Sequence, residues 1–583
     1  MLPRSLRVLL YLVVISLSML PAYAASSNKQ ETQSTPTEFT ASMTEGYAGA
    51  ADQIILGNLP QAQPYHGKPR AEPDQAERPE IDQNRATGIP IPGYKAEPPS
   101  LKPELSFQQM IGIDTPSLTT SFAAGTEAAC GWWIPSDHAI ATSNLYEVQV
   151  LNACVYVFNT SGTVPNGYPK NLATFLGTNT THVVGDPRAL WDWKKDRFVV
   201  VAMDWTASTI LIAVSQTSDP TGAWWLYSIA TNTGGVSGYP DFPMLGQTNY
   251  EAGDSNGALY ISWDRFTPGG GAFQDNVIWV VPKGKIYSGE SFSVKVFYNL
   301  QYNGKTVDHV QPANVMNRGD LPRAEFLVNT LDFNYNCYTQ TPCNGLVVWA
   351  IYNGVPPSDA TASITKVFVR TGHYYIYPVT AAQPGNPSGT ECAINAGNVG
   401  ISSVVFYSAG DLYFATTTGA LNGQGSNGWL YWQVHPTLSD ASPATLTGAT
   451  IRNEVCWGCV GFSGDSTFSE YYPAVQPDEE GNVTVVYNAS SSTLYPSTAY
   501  LTNRASHATG SFRDGGQYLA TGSSWYCEID GYGRNRWGDY TATYPFGSII
   551  QYSPTFWFAG QFSASSNWST QIGKTSYTSV TQP

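Results

Sequence analysis

The sequence predicts an all-β chain folded as a β-propeller, and three observations carry that expectation. A short phrase recurs: Asp186-Pro187-Arg188-Ala189-Leu190, Phe242-Pro243-Met244-Leu245 and Tyr472-Pro473-Ala474-Val475. A polar turn and an alternating apolar strand follow each, as in Arg197-Phe198-Val199-Val200-Val201, Ala258-Leu259-Tyr260-Ile261-Ser262 and Asn482-Val483-Thr484-Val485-Val486. Strong helical periodicity is absent throughout. Strand-only units of roughly 50–80 residues cannot bury their own apolar faces and must stack on copies of themselves. Four-stranded blades around a central channel meet that need.

In chain order, Arg4 and Arg7 precede an apolar run over residues 8–20, and Ala22-Tyr23-Ala24 supplies a small-residue cleavage site. Residues 1–24 therefore read as a secretory signal peptide. Its apolar run is too short for a bilayer span, and no later stretch is long and apolar enough for one. Residues 25–114 are rich in Pro, Gln, Glu, Ala and Ser. Such composition buries too little apolar surface to offset the entropy of ordering, so a disordered Pro-rich linker or pro-segment is expected there. The propeller domain is expected over residues 115–583.

Within it, seven openings are expected: Pro135-Ser136-Asp137-His138, Asp186, Asp241-Phe242, Asp320-Leu321-Pro322-Arg323, Asn398-Val399-Gly400-Ile401, Tyr472 and Asp539-Tyr540. Six and eight blades stand as alternatives. The last unit has room for about three strands where a blade needs four. A strand near residues 118–122 is expected to complete it, joining the two ends of the chain and removing an exposed edge.

Charged residues make up 13% of the chain, below the roughly 25% of ordinary soluble proteins. The net charge of −15 argues against a nucleic-acid or anionic-membrane partner, since either needs a basic face. Eight cysteines in an exported chain read as disulfides. Cys337 and Cys343 flank a short turn, and Cys130 and Cys154 flank a strand pair. Cys392, Cys456, Cys459 and Cys527 are left without an assigned pairing. Cys456-Trp457-Gly458-Cys459 lacks the second ligand pair that a zinc site needs.

Pro135-Ser136-Asp137, Gly185-Asp186-Pro187, Ser218-Asp219-Pro220-Thr221-Gly222-Ala223-Trp224, Tyr472-Pro473-Ala474-Val475 and Arg536-Trp537-Gly538-Asp539-Tyr540 occur in that order. The series resembles a group of large secreted bacterial sialidase-like β-propeller proteins, from about Pro116 to the C-terminus. The resemblance implies a propeller and brings no assigned reaction. The Arg-Ile-Pro motif and clear Asp boxes of established sialidases are missing from this sequence.

In a propeller the openings converge beside the channel, and here they carry the candidate chemistry. Glu470, Tyr472, Asp539 and Asp186 are the candidate catalytic residues, because paired carboxylates serve as acid and base, or a tyrosine as nucleophile, in glycosidic cleavage. Arg188, Arg323, Arg536, Tyr540 and His138 are the candidate substrate-binding residues, since a guanidinium fork holds a carboxylate bidentately. Asp at a repeat opening also commonly caps a turn, with Arg pairing to it. No cofactor motif occurs, although carboxylates gathered at a channel mouth could hold Ca²⁺. The expectation is a secreted, monomeric glycoside hydrolase acting on an extracellular, acidic glycan. The alternative is a non-catalytic propeller that binds glycan or protein, or serves in surface adhesion.

Overall fold

Alternating apolar residues flanked by tight turns make strands throughout this chain. The computed structural model describes residues 41–63, 70–71, 115–248, 257–315, 320–332, 337, 342–352, 363–385, 392–420, 425–441, 443–459, 467–512, 515–545 and 555–577. The expected signal peptide, and most of the expected linker, lie outside these residues. Among the described residues, α-helix is limited to two single turns, Leu172–Phe175 and Lys283–Ile286.

The strands form four-stranded antiparallel sheets in sequence order. The first sheet is Ala139–Thr142, Tyr146–Leu151, Cys154–Asn159 and Lys170–Asn171. The second is Val184–Asp192, Arg197–Asp204, Thr209–Ser215 and Ala223–Ala230. The third is Tyr239–Gln247, Ala258–Phe266, Phe273–Pro282 and Phe292–Tyr298. The fourth runs through Gln311–Val315, Ala324–Thr330, Cys343–Tyr352 and Ser363–Tyr375. Val405–Ser408, Asp411–Gly419, Asn427–Leu438 and Leu446–Trp457 make the fifth. Ser469–Pro477, Val483–Ser490, Ser497–Asn503 and Gln517–Ala520 make the sixth. The seventh is Ala542–Pro545, Thr555–Ala564 and Asn567–Ser576, with Thr120–Thr126 from the far end of the chain as its fourth strand.

The first strand of each sheet contacts the first strand of the next, and that of the seventh contacts that of the first. Parallel bridges join the first strands of the third, fourth and fifth sheets, Gln247 with Asn314 and Ala313 with Val405. The sheets pack face to face. Tyr260, Ile278 and Val280 of the third meet Leu327, Val347 and Trp349 of the fourth. Ala474, Val486 and Tyr500 of the sixth meet Phe556 and Phe558 of the seventh. With both faces covered, middle strands are buried along their whole length, as Val483–Ser490 is. Trp224, Trp429 and Trp432 are fully buried in these layers, as packing residues.

The recurring phrase has a backbone meaning. Asp186, Phe242 and Tyr472 each have φ of 51°. Each begins a bulge, where register shifts between Gly185 and Arg188, Asp241 and Met244, and Tyr471 and Ala474. The proline that follows has no N–H to donate, so a bulge is where it fits in a strand. Asp137 (φ 38°), His309 (φ 50°) and Gly538 (φ 146°) hold the corresponding positions in three other sheets.

Two expectations are corrected. The fourth sheet opens at Asp308-His309, not at Asp320-Leu321-Pro322-Arg323, which instead leads into its second strand, Ala324–Thr330. Its proline, Pro312, is displaced into the strand Gln311–Val315, which hides the phrase. Within the expected linker 25–114, Ser42–Ala48 pairs with Phe292–Tyr298, and Asp52–Ile55 pairs with the last strand of the second sheet. Both strands add to open sheet edges by main-chain hydrogen bonds, so they need little apolar surface of their own. Arg70–Ala71 also pairs, with Trp133–Ile134.

Candidate functional site

A chain of contacts links the sheet openings. Asp539 N–H donates to Asp137 Oδ1 at 2.7 Å. Asn152 Nδ2 donates to Asp137 Oδ2 at 2.8 Å, and Asn152 Oδ1 accepts the Asp186 N–H at 2.7 Å. Tyr540 Oη donates to Asp186 Oδ2 at 3.1 Å. The Arg188 guanidinium lies over the Tyr540 ring, 3.1 Å from its centroid. Phe242 packs on Tyr540 at 4.9 Å and edge-on to His309 at 4.1 Å. The first, second, third, fourth and seventh sheets thus meet through named side chains. At Gly538, where φ is 146°, an added Cβ would sit 3.3 Å from Asp137 Oδ1, a tight contact.

Asp137 and Asp186 are buried and serve the backbone and the Asn152 and Tyr540 side chains. Asp539 is 19% exposed and accepts from Nη2 of the buried Arg536 at 2.7 Å. His138 is buried between Ala559 O (3.2 Å from Nε2) and Ser136 Oγ (3.3 Å from Nδ1). Burial lowers its pKa to about 4, so it is a neutral imidazole at neutral pH. Arg188 donates from Nε to Pro243 O at 2.8 Å and from Nη1 to Pro187 O at 3.4 Å.

Three candidates lie elsewhere. Arg323 donates to Ser439 O and Ala441 O, in the connection between the third and fourth strands of the fifth sheet, because the fourth sheet opens earlier than expected. Tyr472 turns its hydroxyl to Asn395 O at 3.3 Å, its ring seated against Gly397, where φ is 78° and a Cβ would come within 2.6 Å. Glu470 is fully buried and faces Trp457, Tyr487 and Trp429. Those three groups favour its charged form, but neither carboxyl oxygen reaches hydrogen-bond geometry, and burial pushes its pKa up to about 8. Glu470 and Tyr472, two of the candidate catalytic residues, thus turn to different surroundings. The bulge at Tyr472 breaks the alternation that would have placed both on one face.

Several polar groups near the openings had weak sequence signals or none. Asp264 Oδ1 accepts the His309 N–H at 3.1 Å, and Asp308 Oδ2 lies 3.1 Å from His309 Nδ1. Asp332 Oδ2 lies 3.6 Å from the same nitrogen. Ligand atoms of Asp264, Asp308 and His309 lie within 4.8 Å of one another, as a cation site requires. Burial alone would lower the His309 pKa, but Asp264, Asp308 and Asp332 carry it up to about 10. The protonated ring thus supplies the positive charge that these carboxylates need. Glu127 is buried beneath the Trp568 N–H, and burial raises its pKa to about 8. Only Asp308-His309 had a readable signal, as an Asp just ahead of a strand.

The disulfides pair Cys130 with Cys154 and Cys337 with Cys343, as expected, together with Cys392–Cys527 and Cys456–Cys459. Among the described residues no helix is long and apolar enough to cross a membrane.

No protein-family model matches the chain, and no curated protein matches it either. Solved structures similar to it include an exo-β-1,3-galactanase from Phanerochaete chrysosporium at 10% identity and TM-score 0.26, covering 63% of this chain and 81% of that one. A Hadza microbial sialidase is 9% identical at TM-score 0.27, covering 75% of this chain and 74% of that one. A GH43 glycoside hydrolase engineered to show endo-xylanase and exo-arabinofuranosidase activity is 10% identical at TM-score 0.25, covering 78% and 97%. Superpositions this loose carry no functional argument, so function is argued from this chain's own residues.

Proposed function

We propose that the chain is a secreted glycan-active enzyme, a glycoside hydrolase acting on an extracellular, acidic glycan. The sheets are read as seven blades of a propeller closed by Thr120–Thr126, with the site at the channel mouth where the openings meet. Export is supported by the N-terminal signal sequence and four disulfides. The observation that carries the reading is the Arg536–Asp539 ion pair, whose carboxylate is partly exposed, next in sequence to the Tyr540 of the Arg188–Tyr540 stack. A guanidinium suits a sugar carboxylate, and an adjacent, partly exposed carboxylate suits acid–base or nucleophilic work at the glycosidic bond.

One observation favours a second reading, a binding or adhesion propeller without turnover. The other carboxyls expected to share the chemistry, Glu470 and Asp186, are buried. One experiment separates the two readings. The purified mature chain is screened on plant, bacterial and animal glycans for new reducing ends or unsaturated products, alongside a glycan-binding array. Asp539→Asn should abolish product formation with the fold intact, and Arg536→Lys should weaken an acidic ligand by losing the bidentate fork. Binding without products across the panel would establish the second reading.

A further inference from the structure

At the centre of the sheets lies a small cavity whose lining includes His138, Arg188, Gln311, Ser403 and Thr541, each from a different sheet or its opening. Gln311 is engaged, donating from Nε2 to Ile401 O at 2.6 Å. Three other polar atoms on these residues are not. Arg188 Nη2, Ser403 Oγ and Thr541 Oγ1 are buried and have no hydrogen-bond partner among the described residues. All three can donate.

Arg188 is 5% exposed, and among the described residues no ion pair joins it to a carboxylate. Its two engaged nitrogens meet neutral carbonyls, and the ring beneath it is a neutral tyrosine. Of the carboxylates at the nearest sheet openings, Asp186 accepts from Tyr540 at Oδ2, and Asp137 accepts from Asn152 and the Asp539 N–H. Burying a cation without a direct ion pair is costly, more so than burying a hydroxyl, and an anion would offset that cost better than water. His138 adds no second positive charge, since its imidazole is neutral.

We propose that this cavity binds a compact monovalent anion, held by Arg188 Nη2 and the hydroxyls of Ser403 and Thr541. The shared chemistry is a single negative charge that accepts several hydrogen bonds, supplied either by an inorganic halide or by a small carboxylate. A doubly charged oxyanion fits poorly, because one guanidinium is the only cation among the lining residues. The net charge of −15 repels anions from the surface, so anion binding here would reflect the built site and not the general field. This proposal does not depend on glycan turnover.

The test uses the full mature chain in gluconate buffer at constant ionic strength. Chloride is titrated while the ³⁵Cl NMR linewidth is followed, and crystals grown in bromide are examined for anomalous density beside Arg188. Saturable broadening, with bromide next to Nη2, is the expected result. Formate that displaces chloride identifies a site open to carboxylates, and formate that does not identifies a halide site. Thr541→Val and Ser403→Ala each keep side-chain shape and should weaken binding about tenfold, the effect of one hydrogen bond to a charged group. Arg188→Gln should abolish binding, and if that variant does not fold the two hydroxyl variants carry the test. Absence of saturable broadening together with absence of bromide density would overturn the proposal. So would broadening that all the folded variants retain, which would place the anion elsewhere. Neither outcome bears on product release, which is measured separately.

Discussion

Glu470 carries the most informative single-residue result, because its chemistry is set by what surrounds it. Burial raises both Glu470 and Glu127 from 4.5 to about 8, so the folded chain keeps protons that the unfolded chain releases above about pH 4.5. The stability each contributes is fully present below that pH and is lost as pH rises through about 8. His309, raised from 6.5 to about 10, follows the same sign over a higher window. His138, lowered to about 4, has the opposite sign, and its contribution is lost as pH falls from about 6.5 through 4. The melting temperature should therefore fall as pH rises from about 6 to 10, and Glu470→Gln should flatten that slope below about pH 8. A thermal melt series in which the variant keeps the wild-type slope would count against a protonated Glu470. Asp137→Ala removes the acceptor for Asn152 and for the Asp539 N–H, and should cost roughly 1–3 kcal/mol in a denaturant melt. That asparagine had no motif, because its role is to bridge two openings distant in sequence.

At the scale of elements, the opening phrases were legible because each combines a bulge with a strand start. The fourth was misplaced because Asp308-His309 builds the same bend without a following proline. The N-terminal strands were invisible for a different reason. Ser42–Ala48 and Asp52–Ile55 carry few apolar residues and are held by main-chain pairing to edges supplied by residues over a hundred positions away. Deleting residues 41–63 should leave the seven sheets folded but bare the edges of Ala223–Ala230 and Phe292–Tyr298. Light scattering should then detect increased self-association, since unpaired edges template pairing between copies. Extending the deletion through Thr126 removes the fourth strand of the last sheet, and circular dichroism should report loss of cooperative folding.

Across the whole molecule, the disulfides differ in the reach of what they tie. Cys392–Cys527 spans 135 residues, from the approach to the fifth sheet to the loop between the sixth and seventh, whereas Cys456–Cys459 spans 3. By loop-closure entropy, Cys392→Ala with Cys527→Ala should cost up to about 5 kcal/mol. The Cys456–Cys459 pair should cost far less, and urea melts of the two double variants should rank them in that order. An inverted order would mean that the long bridge joins parts already ordered in the unfolded chain.

Strand content, the repeated units, the acidic balance and two of the four cysteine pairings follow from the sequence, because each rests on neighbours within a few tens of residues. Alternation, turn residues and loop length are local, and local rules read them. The candidate site was legible only in part. Arg188, Arg536, Asp539 and Tyr540 were readable as polar residues at openings, but what each touches was not. Only tertiary structure buried Glu470 among Trp429, Trp457 and Tyr487 and turned Tyr472 away to Asn395. It alone gathered Arg188, Ser403 and Thr541 around one cavity. The physical reason is that burial and desolvation depend on which sheets meet, and these sheets bring together residues up to several hundred positions apart.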